Sequence, residues 1–225
     1  MSSQDNTGKR KFHERISPMS AALALAKLGI PVIPLCPHDH AGVSEKHKNI
    51  CKRPGKAPLI KDWQNRASSD PEQLAEWYTR WPCANVGLVL GPKSGILAID
   101  VDGEYGRKKL EELSEGILPP TWEYETPGGG YRYLYRAPDG YTFAGKSYSS
   151  PKGGHEGLEL LGDGQQTVVP GSVHANGRPY VWAEGRSPDD LPLADAPEWM
   201  LRLMSANYSA DRLFGGENDG RVTGS

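Results

Sequence analysis

Long hydrophobic runs, an excess of one charge and cysteine are all scarce in this chain, and each scarcity excludes something. No stretch of the 225 residues approaches the roughly 20 apolar residues of a membrane-spanning helix. The opening MSSQDNTGKRKFHER also lacks the apolar centre of a secretory signal. No membrane role is expected, and a cytoplasmic location is. Lys+Arg 26 against Asp+Glu 28 leaves a net charge of −2, which argues against a protein coated in positive charge for bulk nucleic-acid binding. Three cysteines are too few for a disulfide framework and point to free thiols or a metal site. Internal repeats are absent as well.

Glycine and proline, at 27 and 19 residues, favour many turns and short strands over a helix bundle. A mean hydropathy of −0.59 suits a folded protein with a sizeable loop fraction, as one generous domain or two small lobes. Positive charge is concentrated locally at Lys46, Lys48, Lys52, Arg53, Lys56 and Lys61. A second run, Arg107, Lys108 and Lys109, reads as a solvated face. Cys36 and Cys51 bracket His38, His40 and His47 in CPHDHAGVSEKHKNIC. The spacing matches no standard zinc finger, yet Cys36, His40, His47 and Cys51 form a candidate structural Zn²⁺ set. A polar loop without metal is the competing reading.

Residues 1–16 are polar and charged and are expected to form a disordered arm. SPMSAALALAKLGIP predicts a helix with Ser17 as its N-cap and Gly29 at its stop, leading into the buried strand IPVIPL. SSDPEQLAEWYTRWP predicts a second helix, capped by Ser69 or Asp70, with Trp77 and Trp81 as core anchors. Strand signals follow in NVGLVLG, GILAIDVDG, TWEYETP, YRYLYRA, GLELLG, QTVVPGS and RPYVWA, interrupted by a helix at EYGRKKLEEL. APEWMLRLMS predicts a C-terminal helix, and residues 205–225 read as a linker. The fold class expected is α+β.

In GILAIDVDG an apolar strand ends in two carboxylates. Residues i and i+2 of a strand share a face, so Asp100 and Asp102 stand side by side. Such a pair repels and is costly to desolvate unless a cation such as Mg²⁺ or Mn²⁺ sits between them; an ordinary Asp-Gly turn is the alternative. TPGGGYRYLYR places Arg132, Leu134 and Arg136 on one strand face and Tyr131, Tyr133 and Tyr135 on the other. Its glycines could admit a phosphate to backbone N–H groups. Glu159 sits between Leu158 and Leu160, where an unpaired carboxylate is expensive, so a shared cation, a partner arginine or edge exposure is needed. Ser172 and His174 in PGSVH present a hydroxyl and an imidazole on one side of an extended stretch.

In order, the Lys56-Ala57-Pro58 element with Trp63, SSDPEQLAEWYTRWPCANVGLVLG, ILAIDVDG, TPGGGYRYLYR and GLELLGDGQQTVVPGSVHANGRPYVW resemble the Prim-Pol domain. This is the primase-polymerase branch of the archaeo-eukaryotic primase superfamily, found in phage and plasmid replication proteins. The likeness covers residues 17–204. It implies an RRM-like catalytic sheet with an accessory α/β lobe, and DNA primase-polymerase activity. Nucleotidyl transfer of that kind uses two divalent metals about 3.5–4 Å apart. The family's acidic motif falls on Asp100 and Asp102, and its third acidic position on Glu159, as ligands for Mg²⁺ or Mn²⁺. Arg132 stands where the family usually has a phosphate-contacting histidine; it can hold phosphate but not titrate near neutrality. Ser172, His174 and Lys56 are implied nucleotide contacts. Implied partners are single-stranded DNA template, primer, nucleoside triphosphates and a downstream helicase module, in the host cytoplasm if the protein is phage-encoded. Two other classes stay open: a catalytically silent single-stranded-DNA or origin-binding module, and an unrelated metal-dependent phosphoesterase.

Overall fold

Ser17 caps the first helix, as the sequence predicts. In the computed structural model, which describes residues 16–205, 207 and 208, its hydroxyl accepts the Ser20 N–H at 3.1 Å and starts α1 (Pro18–Lys27). Gly29 then turns the chain at φ +76° into β1 (Val32–Leu35), buried at every residue. The expected N-terminal arm (1–15) and most of the linker (206 and 209–225) lie outside the described residues.

Two short helices lie between β1 and the next long helix: α2 (Glu45–Ile50), within the His/Cys segment whose competing reading was a polar loop, and α3 (Trp63–Arg66) beyond it. α4 (Pro71–Arg80) is capped by Asp70, whose carboxylate accepts the Glu72 N–H at 3.0 Å. Trp77 is buried on it, while Trp81 ends the helix only partly covered, under the Arg80 guanidinium. Then come β2 (Asn85–Val89), β3 (Ile96–Asp102), α5 (Gly103–Ser114), β4 (Trp122–Glu125), β5 (Tyr131–Arg136), β6 (Lys146–Ser149), β7 (Gly157–Leu161), β8 (Gln166–Val168), β9 (Val181–Trp182) and α6 (Glu198–Met204). β6, the polar KSYS, carries no apolar alternation and went unpredicted.

The strands form two antiparallel sheets, ordered β1-β2-β8 and β6-β7-β3-β5-β4-β9. Mixed α+β architecture is therefore as expected. β3 is central to the large sheet and alternates between two cores. Leu97, Ile99 and Val101 face Leu110 of α5 and Met200, Leu201 and Met204 of α6. Ile96 and Ala98 face the small sheet, with α1 and α4 beyond it. The tyrosines of β5 pack on the α5/α6 side and Leu134 on the other, matching the predicted division of that strand.

The site arises where one of those cores stops. On the small-sheet side, Ala98 pairs in register with Leu134 and Leu161, an apolar rung covered by the small sheet's core. Two residues further along the same face, Asp100 pairs with Arg132 and Glu159. One step of strand periodicity thus exchanges a buried apolar rung for a charged one.

Candidate active site

The charged rung lies in a cleft of about 720 Å³. Asp100, Arg132, Glu159, Thr167 and Tyr180 line one part, and Lys52, Arg53, Lys56 and Trp63 another. Six strands contribute to a continuous row: Ser147, Glu159, Asp100, Arg132, Tyr124 and Trp182 occupy facing positions on β6, β7, β3, β5, β4 and β9. Of the metal site and the Asp-Gly turn weighed in the sequence, the turn is present in the structure and the two carboxylates share a strand face beside it. Gly103, at φ +69°, turns β3 directly into α5, while Asp100 and Asp102 keep one face.

Arg132 is committed within the protein. Its guanidinium forms an ion pair with Asp100 Oδ2, the two side chains being 11% and 13% exposed, and donates to Thr167 Oγ1. Tyr124 Oη donates to the Val168 carbonyl at 2.6 Å, so the Thr167 hydroxyl, 3.1 Å away, donates to Tyr124. This chain of bonds ties β5 and β4 of the large sheet to β8 of the small one. Burial works against the Arg132 charge, but its partners together, Asp100 foremost, outweigh it, and the pKa is raised. Tyr124 is pushed up to about 12 by burial and stays a neutral donor.

Asp100 Oδ1 is buried without a hydrogen-bond partner. Asp102 has its pKa raised, first by burial and then by the Asp100 charge, with Arg132 and Lys56 opposing. Asp100 with its orphaned oxygen, Asp102 and Glu159 offer hard oxygen donors of the kind that Mg²⁺ or Mn²⁺ takes. Glu159 is exposed to the cleft on an interior strand, so the fold does not desolvate its charge. That corrects the desolvation argument drawn from its leucine neighbours, which point to the opposite face.

The glycine turn is fitted to the acids. A Cβ on Gly130 would run into the Val101 carbonyl and Asp102 Oδ1. Its N–H is held by Thr126 Oγ1 at 3.1 Å.

Ser172 and His174 are placed differently from expectation. Ser172 is 1% exposed, and its Oγ accepts the Val86 N–H at 2.8 Å. The hydroxyl is consumed in fastening PGSVH to β2 and does not reach the cleft as a phosphate contact. His174 Nδ1 accepts the Asn176 N–H at 3.3 Å, and its ring stands edge-on to Tyr180 with centroids 5.9 Å apart. It therefore backs a cleft residue without lining the cleft itself. Lys56 lines it directly, and its carbonyl accepts from Gln166 Nε2 at 3.0 Å.

Several residues escaped the sequence reading. Asn85, 2% exposed, donates to the Gly55 and Val173 carbonyls at 2.9 and 2.7 Å and accepts from Val173 N–H at 2.9 Å. It joins the lysine-bearing loop to PGSVH. A polar residue opening an apolar strand was the available signal. Thr167, Tyr124 and Tyr180 gave none, because their partners are distant in sequence.

The sequence profile of the bifunctional DNA primase/polymerase N-terminal domain, Prim-Pol, matches residues 22–199. The chain belongs to the Prim-Pol family. No curated protein matches it at a significant level. The profile spans both sheets of this Prim-Pol domain, from within α1 to the start of α6. Membership makes it a primase/polymerase-type nucleotidyltransferase domain of DNA replication, with DNA and nucleotides as partners. The expected helicase module finds no support in the matched span. Among the described residues no helix is long and apolar enough to cross a membrane.

A second cluster of ligand-type side chains adjoins the cleft, with His47 and Cys51 in its lining. One donor atom from each of Cys36, His40, His47 and Cys51 falls within 4.8 Å of the others, a composition compatible with zinc. His38 is outside it, 3.9 Å from Asp39.

Proposed function

We propose that this Prim-Pol domain carries out template-directed nucleotidyl transfer, making and extending DNA primers in phage or plasmid replication. The large sheet serves as the RRM-like catalytic sheet and the small one as the core of the accessory lobe. The observation that carries the reading is the charged rung: Asp100, with an unpartnered oxygen, set between Glu159 and Arg132 and facing a lysine- and arginine-lined wall.

Asp100, Asp102 and Glu159 would hold Mg²⁺ or Mn²⁺, which when bound neutralises triphosphate charge and favours deprotonation of the attacking hydroxyl. Around them the protein's own groups divide the labour. Lys52, Arg53 and Lys56 bind and neutralise the triphosphate. Arg132 orients Asp100 and presents its free oxygen to the cleft. Trp63, partly exposed in the cleft lining, offers flat apolar surface beside the nucleotide. The 3′-oxygen of the primer attacks the α-phosphorus, an O–P bond forms, and the bond to pyrophosphate breaks.

The test is incubation with nucleotides and Mg²⁺ or Mn²⁺ on primed and unprimed single-stranded templates. Primer extension and de novo oligonucleotides, both lost in Asp102→Asn, are expected. A mobility shift without synthesis would overturn the reading in favour of a DNA-binding module, and template degradation in favour of a phosphoesterase.

A further inference from the structure

The sulfurs of Cys36 and Cys51 lie 4.0 Å apart. A disulfide requires about 2.0 Å, whereas two thiolates on a tetrahedral Zn²⁺, with Zn–S bonds of about 2.3 Å, sit about 3.8 Å apart. Beside them, Nε2 of His40 and Nε2 of His47 are buried without a hydrogen-bond partner. Burying two such nitrogens unpaired is unfavourable unless something binds them. His40 adopts φ +61°, a left-handed conformation unusual for a non-glycine residue, in the turn that brings its ring near the sulfurs.

The helix between the ligands supplies an independent observation. α2 has six residues and buries none of them; Ile50 is 68% exposed. So short a helix is not stable alone, and no apolar face holds it to the protein. Its attachments are His47 within it and Cys51 at its end, whose N–H bonds the His47 carbonyl at 2.9 Å. Directly after Cys51 come Lys52, Arg53 and Lys56, which line the cleft together with His47 and Cys51. The far end of this segment is held by Asn85 on Gly55 at 2.9 Å and by the Cys36 N–H on Ala57 at 2.7 Å.

We propose that Cys36, His40, His47 and Cys51 bind one structural Zn²⁺, and that this ion clasps α2 and residues 51–57 in place as the basic wall of the cleft. Two thiolates and two imidazoles select zinc, while the carboxylates select hard cations, so the two centres do not compete. The role given to the wall rests on the nucleotidyl-transfer reading; the metal site does not.

The full chain, purified without a histidine tag, is expected to carry about one zinc per molecule. Co²⁺ exchanged into it should give the visible absorption of a tetrahedral thiolate site. Cys51→Ala and His47→Ala should lose the metal, and Cys83→Ala, altering the exposed third cysteine, should keep it. A metal-free wild type with a Cys36–Cys51 disulfide, or a Cys51→Ala variant that retains zinc, overturns the site. Chelation of the wild type should speed amide exchange in residues 45–57 by roughly tenfold or more and leave β3 unaffected; unchanged exchange overturns the clasp. Manganese–nucleoside triphosphate should bind the zinc-free protein roughly 10–100-fold more weakly, as for loss of charge-assisted contacts. Equal binding with and without zinc overturns the role in the wall. Zinc and amide protection without any nucleotide binding by the wild type would support the metal site and count against nucleotidyl transfer alone.

Discussion

Asp100 and Arg132 face each other across β3 and β5, and the arginine is spent on the aspartate instead of on the cleft. From sequence, the family resemblance implied a phosphate contact at Arg132 and a metal ligand at Asp100. The pairing changes the first expectation. Removing one member leaves the other charged and nearly buried, an effect of about 3–5 kcal/mol. Arg132→Leu should therefore lower the urea unfolding free energy by about that amount, and Asp100→Asn in the same chain should recover most of it. A stable Arg132→Leu protein with only a raised nucleotide KM would mean that the guanidinium faces the nucleotide.

Asp102 should make stability fall as pH rises. Its pKa is raised by burial and then by Asp100, so the folded state binds the proton more tightly than the unfolded state. The stabilisation is full below the unfolded value and is lost as pH climbs through the raised folded value. Asp102→Asn should flatten that dependence and raise the unfolding midpoint at neutral pH while abolishing synthesis. Thermal unfolding across pH 3–8, about the range an aspartate near its ordinary pKa spans, checks the sign. A midpoint that rises with pH in the wild type and flattens in the variant would contradict it.

The glycines of the TPGGG turn should not be equivalent. A Cβ at Gly130 strikes the Val101 carbonyl and Asp102 Oδ1, whereas at Gly128 its nearest neighbour is Thr126 Oγ1 at 3.9 Å. Gly130→Ala should cost about 1–3 kcal/mol and displace Asp102, reducing activity beyond the stability loss. Gly128→Ala should be close to neutral in both primer extension and chemical denaturation.

Ser172→Ala separates an anchoring hydroxyl from a phosphate contact. Loss of the bond from the Val86 N–H strands a buried donor, which costs about 1–3 kcal/mol. Nucleotide affinity, measured by titration on the folded variant, should stay unchanged. A weakened affinity with unaltered stability would restore the sequence-based role.

Periodicity made much of the fold legible. The alternation in YRYLYR and ILAIDVD assigned side chains to the faces they occupy, because a strand's period of two is a local property of the backbone. The caps at Ser17 and Asp70 were readable for the same reason, since a cap and its N–H lie within three residues. β6 and α2 were not readable: neither buries an apolar stripe, so neither leaves a pattern.

By itself the sequence determined the α+β class, the shared face of Asp100 and Asp102 and the family. It also placed the Cys and His residues within one short segment. Only the tertiary structure decided which groups meet. It set Arg132 on Asp100, sent Ser172 to Val86 and left Glu159 in solvent. Each of these outcomes depends on strand register or on the course of a loop. Those are set by packing between elements tens of residues apart, where no local spacing rule reaches.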